Sequence, residues 1–113
     1  MFGTRTEYRE AWSAAYLSDP AVPLNVDIEL ASVCNLTCPF CFISDPDFEQ
    51  MIRKDSGDGK SRRRLMSKAM ALHILNQCAE IGVPAIKMNW RGESTLHPAY
   101  SEILGYARGL KRG

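Results

Sequence analysis

Two stretches of this chain alternate between apolar and polar residues, and a helix-like pattern follows each of them. The stretches are residues 25–33 and 85–90. Their apolar members, which share one face of each expected strand, are Val26, Ile28, Leu30, Ile86, Met88 and Trp90. A period of two predicts β-strands. Two strand-then-helix units predict parallel strands joined by right-handed crossovers.

The opposite face of both predicted strands is polar. Its members are Asp27, Glu29, Lys87 and Asn89. A parallel strand buried on both faces would be almost continuously apolar, so this face meets something polar. A barrel lumen that holds a polar cofactor satisfies the pattern, and so does a half-solvated sheet edge.

Helical patterns occupy three other parts of the chain. Residues 5–17 predict a helix whose aromatic side chains, Tyr8, Trp12 and Tyr16, pack inward. Residues 68–81 predict a second, with Ser67 as its N-cap and an apolar stripe that includes Cys78. Pro98 suits the first turn of a final helix. Residues 44–66 predict a long loop. Basic side chains are concentrated in that loop and at the start of the helix after it. They form either a solvated surface or a binding site for an acidic or phosphate-bearing substrate. These residues are Arg53, Lys54, Lys60, Arg62, Arg63, Arg64 and Lys68.

Composition restricts the class of protein. With 113 residues, 45% hydrophobic and 24% charged, the chain suits one globular domain rather than a disordered segment. No apolar run reaches the ~18–20 residues that cross a bilayer, and the start lacks a signal-peptide core. We therefore expect a cytoplasmic protein with no membrane partner.

Three cysteines, Cys34, Cys38 and Cys41, lie within eight residues. Thiolates are soft ligands for iron–sulfur clusters, zinc and copper(I), and in a reducing cytosol such a group indicates metal binding or catalysis. A cubane cluster takes one cysteine per iron, so three local cysteines leave one iron open. A zinc site completed by Cys78 or His73, or three unbound thiols, are the alternatives.

The cysteine motif resembles that of the radical S-adenosylmethionine superfamily. The spacing is Cys-x3-Cys-x2-Cys directly after a predicted strand, with Phe40 just before the last cysteine. A second similarity is Gly92-Glu93, which follows the second predicted strand where the family has a Gly-Gly-Glu-like turn. Arg91 stands in place of the first glycine.

The resemblance implies cofactors and site residues. Cys34, Cys38 and Cys41 would hold a [4Fe–4S] cluster whose fourth iron chelates S-adenosylmethionine. Gly92 and Glu93 would bind the amino end of its methionine moiety, and the backbone of Phe40 would approach its adenine. An electron from a flavodoxin or ferredoxin would then cleave the cofactor to a 5′-deoxyadenosyl radical, which abstracts hydrogen from a substrate.

The resemblance also implies an α/β fold, a (β/α)6 partial TIM-like barrel. At ~31 residues per strand–helix unit, this chain holds about two of the six units. We expect residues 1–22 to form a helix and linker, and residues 23–113 the N-terminal portion of the core domain, truncated before a third strand. A complementary chain would supply the rest of the barrel.

The substrate and the activity of the chain alone stay open at this stage. A peptide or protein, a nucleic-acid base and a small metabolite are the substrate classes, in that order of preference. The rival functions are a small zinc-binding interaction module and a non-catalytic remnant that binds a cluster but cannot hold the cofactor.

Overall fold

A parallel pair of very short strands lies at the centre of the structure, a computed structural model that describes residues 4–55, 57–59 and 63–110. Strand β1 is Val26–Asp27 and strand β2 is Ile86–Lys87, with Val26 opposite Ile86. The α-helices of the described residues are α1 (Arg5–Ala15), α2 (Pro46–Asp55), α3 (Lys68–Glu80) and α4 (Tyr100–Gly109). Single 3-10 turns lie at Phe42–Ser44 and Ser94–Leu96.

The core forms where α3 and α4 cover the apolar face of the two strand segments. Its buried members are Ile28, Leu30, Ala71, Leu75, Cys78, Val83, Ile103 and Ala107. The Ser67 side chain accepts the Met70 N–H and so begins α3. Gly82, with φ of +79°, follows its end. The predicted boundaries, cap and inward stripe of this helix are therefore confirmed to within one residue.

The polar face of the strands carries paired charges. Lys87 Nζ lies 3.7 Å from Asp27 Oδ2. Further along the same alternation, Arg91 pairs with Glu29. The sequence pattern correctly predicted one face against helices and one polar face, and the half-solvated edge is the alternative that the structure matches.

The predicted partial barrel is wrong. Helix accounts for 49% of the described residues, and the sheet that they form has two strands. The chain bends near Leu30, after which the backbone pairs with residues 64–66 instead of continuing beside β2. Ser32 N–H donates to Arg64 O at 2.9 Å, and Met66 N–H donates to Leu30 O at 2.9 Å. The alternating stretches are long enough for strands, but this antiparallel partner takes the backbone groups that a longer parallel ladder would need.

Two further expectations are corrected. Residues 46–55, predicted as loop, form α2, which is held by a Glu49–Arg53 pair and by edge-to-face contact of Phe42 with Phe48 at 4.8 Å between ring centroids.

The aromatic residues of the first helix do not pack in the core. Helix α1 has no buried residue, since α3 and α4 already cover the apolar face. Trp90 is 66% exposed because it lies beyond the end of the ladder.

Candidate functional site

The cysteine motif forms a loop that is closed by its own backbone. Cys41 N–H donates to Cys38 O at 3.0 Å, and Ser44 N–H donates to Cys41 O at 3.0 Å. The Ser44 hydroxyl donates to Leu36 O at 3.3 Å. Leu36 N–H points at the sulfur of Cys34, 3.4 Å away.

The three cysteines of the motif are half-buried, and two of them share a cavity. A cavity of about 540 Å³ opens between the loop and the start of α2, and Cys38, Phe40 and Cys41 are among its lining residues, whereas Cys34 is not. In the chain as described, no three Cys, His, Asp or Glu side chains are placed to hold one metal ion.

The residues of the loop fit an iron–sulfur cluster in donor chemistry, and an open cavity adjoins two of the three thiols. Their donors are soft thiols, the adjoining cavity falls in the ~300–1,000 Å³ range of cofactor sites, and an amide N–H already points at the Cys34 sulfur. Phe40 is 90% exposed beside this cavity, so its ring is not used in the core.

The Gly92 turn lies against the segment that leads into the cysteine loop. Gly92 has φ of +67°, and a Cβ added to it would lie 2.5 Å from Ala31 O and 2.6 Å from Val33 O. The next residue, Glu93, donates its N–H to Val33 O at 2.8 Å. The close backbone approach expected of Gly92 therefore exists, but toward the protein's own chain. It brings the two predicted motifs together, because Val33 directly precedes Cys34.

The Glu93 carboxylate is fixed by Thr95. Its Oε1 accepts the Thr95 hydroxyl at 2.7 Å and the Thr95 N–H at 3.1 Å, which caps the second 3-10 turn. The Thr95 hydroxyl first, and its N–H second, lower the pKa of Glu93, so the carboxylate is ionised at neutral pH. Glu93 also lines a polar cleft of about 270 Å³. The other lining residues are Met88, Asn89, Gly92, Ser94, Thr95 and Tyr100.

Sequence reasoning missed the ion pair between Arg91 and Glu29. Arg91 Nε donates to Glu29 Oε1 at 2.9 Å, and Arg91 NH2 donates to Oε2 at 2.8 Å. The Arg91 backbone N–H also donates to Oε1, at 3.2 Å. Hydrogen bonding to Glu29, and then its charge, raise the pKa of Arg91. The signal was present: both residues continue the polar faces of the alternating stretches and carry opposite charges.

The side chains named as alternative metal ligands lie elsewhere. Cys78 is 5% exposed in the core cluster, which contains none of the three motif cysteines, and its burial raises the pKa of its thiol. His73 is exposed on α3. His97 is buried, with Nδ1 accepting the Ala99 N–H at 3.1 Å; the ring proton is therefore on Nε2, which donates to Met66 O at 2.6 Å.

Several basic side chains of the predicted loop are engaged within the protein. Arg53 and Arg63 both pair with Glu49, at 3.0 Å and 2.9 Å. Arg63 also donates to Ile43 O at 3.1 Å, and Lys68 pairs with Glu102. These contacts favour a structural role for this segment. Two further members of the basic set, Lys60 and Arg62, lie outside the described residues.

Comparisons with protein-family models, with curated protein sequences and with solved structures give no match to this chain. Among the residues described, no helix combines the length and the apolar character needed to cross a bilayer.

Proposed function

We propose that this chain binds a [4Fe–4S] cluster through Cys34, Cys38 and Cys41 and uses it to cleave S-adenosylmethionine, as a radical S-adenosylmethionine enzyme or a part of one. One observation carries the proposal. The Gly92–Glu93 turn is hydrogen-bonded to Val33, so two motifs far apart in the sequence meet beside the cysteine loop. The family resemblance requires the Gly-Glu turn to lie beside the cysteine loop, whereas a Gly-Glu pair that occurs by chance has no reason to lie there.

Each site residue has a distinct task in this proposal. The three thiolates bind three irons and leave the fourth for the cofactor. The ionised Glu93 carboxylate accepts hydrogen bonds from the methionine ammonium group. Phe40 contributes backbone groups toward the adenine, as the resemblance implies.

The bound cluster supplies a single electron, which breaks a carbon–sulfur bond of the cofactor and leaves a 5′-deoxyadenosyl radical to take hydrogen from the substrate. An external flavodoxin- or ferredoxin-type donor delivers that electron to the chain. The protein's own work is to orient the cofactor and to keep oxygen and water away from it. A peptide or protein remains the preferred substrate class. A complementary chain that covers the exposed polar face of the strands would help to exclude water.

Anaerobic reconstitution with iron and sulfide tests the cluster. We expect about four irons and four sulfides per chain, with visible iron–sulfur absorption. Alanine variants of Cys34, Cys38 and Cys41 should each lose the cluster, whereas Cys78→Ala should keep it, because Cys78 belongs to the core. Purified protein that holds zinc without sulfide, or a Cys38→Ala variant with full cluster content, would contradict the proposal.

Cofactor cleavage is tested separately. The reconstituted chain is reduced with dithionite in the presence of S-adenosylmethionine, and 5′-deoxyadenosine is quantified by chromatography. Its release, absent in Cys38→Ala, is the expected result. A chain that carries the cluster and releases none is a non-catalytic remnant, and one that binds zinc is an interaction module.

A further inference from the structure

We propose that the Arg91–Glu29 ion pair is a positioning device, which holds the Gly92–Glu93 turn against the cysteine loop and thereby sets the affinity for the cofactor. Its effect on cofactor affinity rests on the function proposed above. Neither residue touches the cysteine side chains in the contacts described, so the pair acts through the backbone that it holds.

The turn is anchored at three consecutive residues. Arg91 grips Glu29 with two side-chain hydrogen bonds and one from its backbone N–H. Gly92 lies against the carbonyls of residues 31–33, and Glu93 N–H donates to Val33 O. These contacts place residues 91–93 alongside residues 29–33, the segment that ends directly before Cys34.

The ion pair is the most directional of these anchors and the one that a side-chain substitution can remove. The parallel ladder ends at Lys87, so it does not fix the position of the turn. Gly92 has no side chain, and the Glu93 amide makes one neutral hydrogen bond. The Arg91–Glu29 contact is bidentate and charge-assisted, which gives it both directionality and strength. Its two side chains are 46% and 23% exposed, so solvent screening moderates its contribution.

The same face of the sheet offers a matched control. Lys87 and Asp27 carry the same charges four and two residues earlier, and their closest contact is a single one at 3.7 Å. Lys87 is 51% exposed, close to the value for Arg91. Removing either cation changes the net charge equally, but only Arg91 adjoins the turn.

The experiment compares Arg91→Gln, Arg91→Lys and Lys87→Gln with the wild type after anaerobic reconstitution. The first measurement is iron and sulfide content. The second is the dissociation constant for S-adenosylmethionine with the cluster oxidised, so that nothing is cleaved. The third is the hydrogen-exchange rate of the Glu93 amide by NMR, which reports the bond to Val33 without any cofactor.

We expect Arg91→Gln to keep its cluster, to bind the cofactor up to about fivefold more weakly and to exchange the Glu93 amide up to about fivefold faster. Arg91→Lys, which keeps the positive charge but cannot make the two parallel side-chain hydrogen bonds, should give values between those of Arg91→Gln and the wild type. Lys87→Gln should match the wild type. A merely structural role would lower cluster content together with cofactor affinity, and would not rank the two Arg91 variants in this order.

The outcomes separate this proposal from the preceding one. Wild-type cofactor affinity or an unchanged Glu93 exchange rate in Arg91→Gln overturns the positioning role, and so does loss of the cluster in that variant. If the wild-type chain binds no cofactor, the proposed function fails, and the effect of the ion pair on cofactor affinity fails with it. Faster exchange of the Glu93 amide in Arg91→Gln would still show that the ion pair holds the turn in place.

Discussion

Replacement of Gly92 by alanine tests the contact between the two motifs most directly. A Cβ at this position would lie 2.5 Å from Ala31 O, 2.6 Å from Val33 O and 2.8 Å from the Ser32 carbonyl carbon. All three are backbone atoms, which no side-chain rotation can move away. The turn must therefore leave its position beside residues 31–33.

The expected cost has three parts. The left-handed conformation costs alanine about 1–2 kcal/mol. Displacement of the turn breaks the Glu93–Val33 hydrogen bond, worth about 1 kcal/mol, and weakens the Arg91–Glu29 pair, worth up to about 1 kcal/mol at this exposure. Gly92→Ala should thus lower the free energy of unfolding by about 3 kcal/mol, and the urea midpoint by about 1–3 M.

Gly82→Ala is the matched control. Gly82 has φ of +79°, close to the +67° of Gly92, but a Cβ there meets nothing within 4 Å. This variant should lose only the conformational part, about 1–2 kcal/mol. Urea unfolding followed by circular dichroism measures both. If the two variants lose the same free energy within about 0.5 kcal/mol, the close approach at Gly92 does not exist in solution, and the argument from neighbouring motifs fails with it.

The remaining predictions concern ionisation and a buried histidine. Burial raises the pKa of the Cys78 thiol above its ordinary 9.0. The folding free energy that the neutral buried thiol contributes below pH 9.0 is therefore lost as the pH rises above that value. The free energy of unfolding, measured by urea titration at increasing pH, should fall in the wild type and fall less in Cys78→Ala. An equal fall in both proteins would refute the prediction. His97→Ala removes the donor to Met66 O and should cost about 2–3 kcal/mol in thermal unfolding; a change below about 0.5 kcal/mol would contradict this. Thr95→Val removes the main cause of the lowered Glu93 pKa, so NMR titration should find that pKa raised, and an unmoved value would show that the hydroxyl does not act on it.

Local patterns of the sequence predicted helices α1, α3 and α4 but not that α1 stays outside the core, and they missed α2. The stripe of α3 is confirmed because Ala71, Leu75 and Cys78 are buried in the core cluster. The aromatic face of α1 has the same periodicity, but periodicity cannot show whether any core surface remains to receive it. Helix α2 was missed because it is short and polar and buries no residue. Glu49 pairs with Arg53 at the i, i+4 spacing of a helix and with Arg63 from beyond the helix, and only the second partner lies outside a local helix pattern.

The sequence also predicted the faces of the strands better than their lengths. Alternation identified which residues face the helices, but strand length depends on which partner the backbone meets. Here residues 64–66 meet residues 30–32, and no local signal announces that pairing. The motif predicted that Gly92 and Glu93 bind the cofactor, but neither the approach of Gly92 to residues 31–33 nor the ion pair of Arg91 with Glu29 could be predicted without the three-dimensional neighbours.

The ion pair beside the turn spans 62 residues of chain, which has a consequence for biosynthesis. Closing a loop of that length costs about 4 kcal/mol of chain entropy, and the far end does not exist until translation reaches Arg91. A nascent chain on the ribosome therefore displays Cys34, Cys38 and Cys41 while about fifty further residues are added before Arg91 is reached. The proposed cluster would accordingly be assembled after release, when the thiols have gained their neighbours.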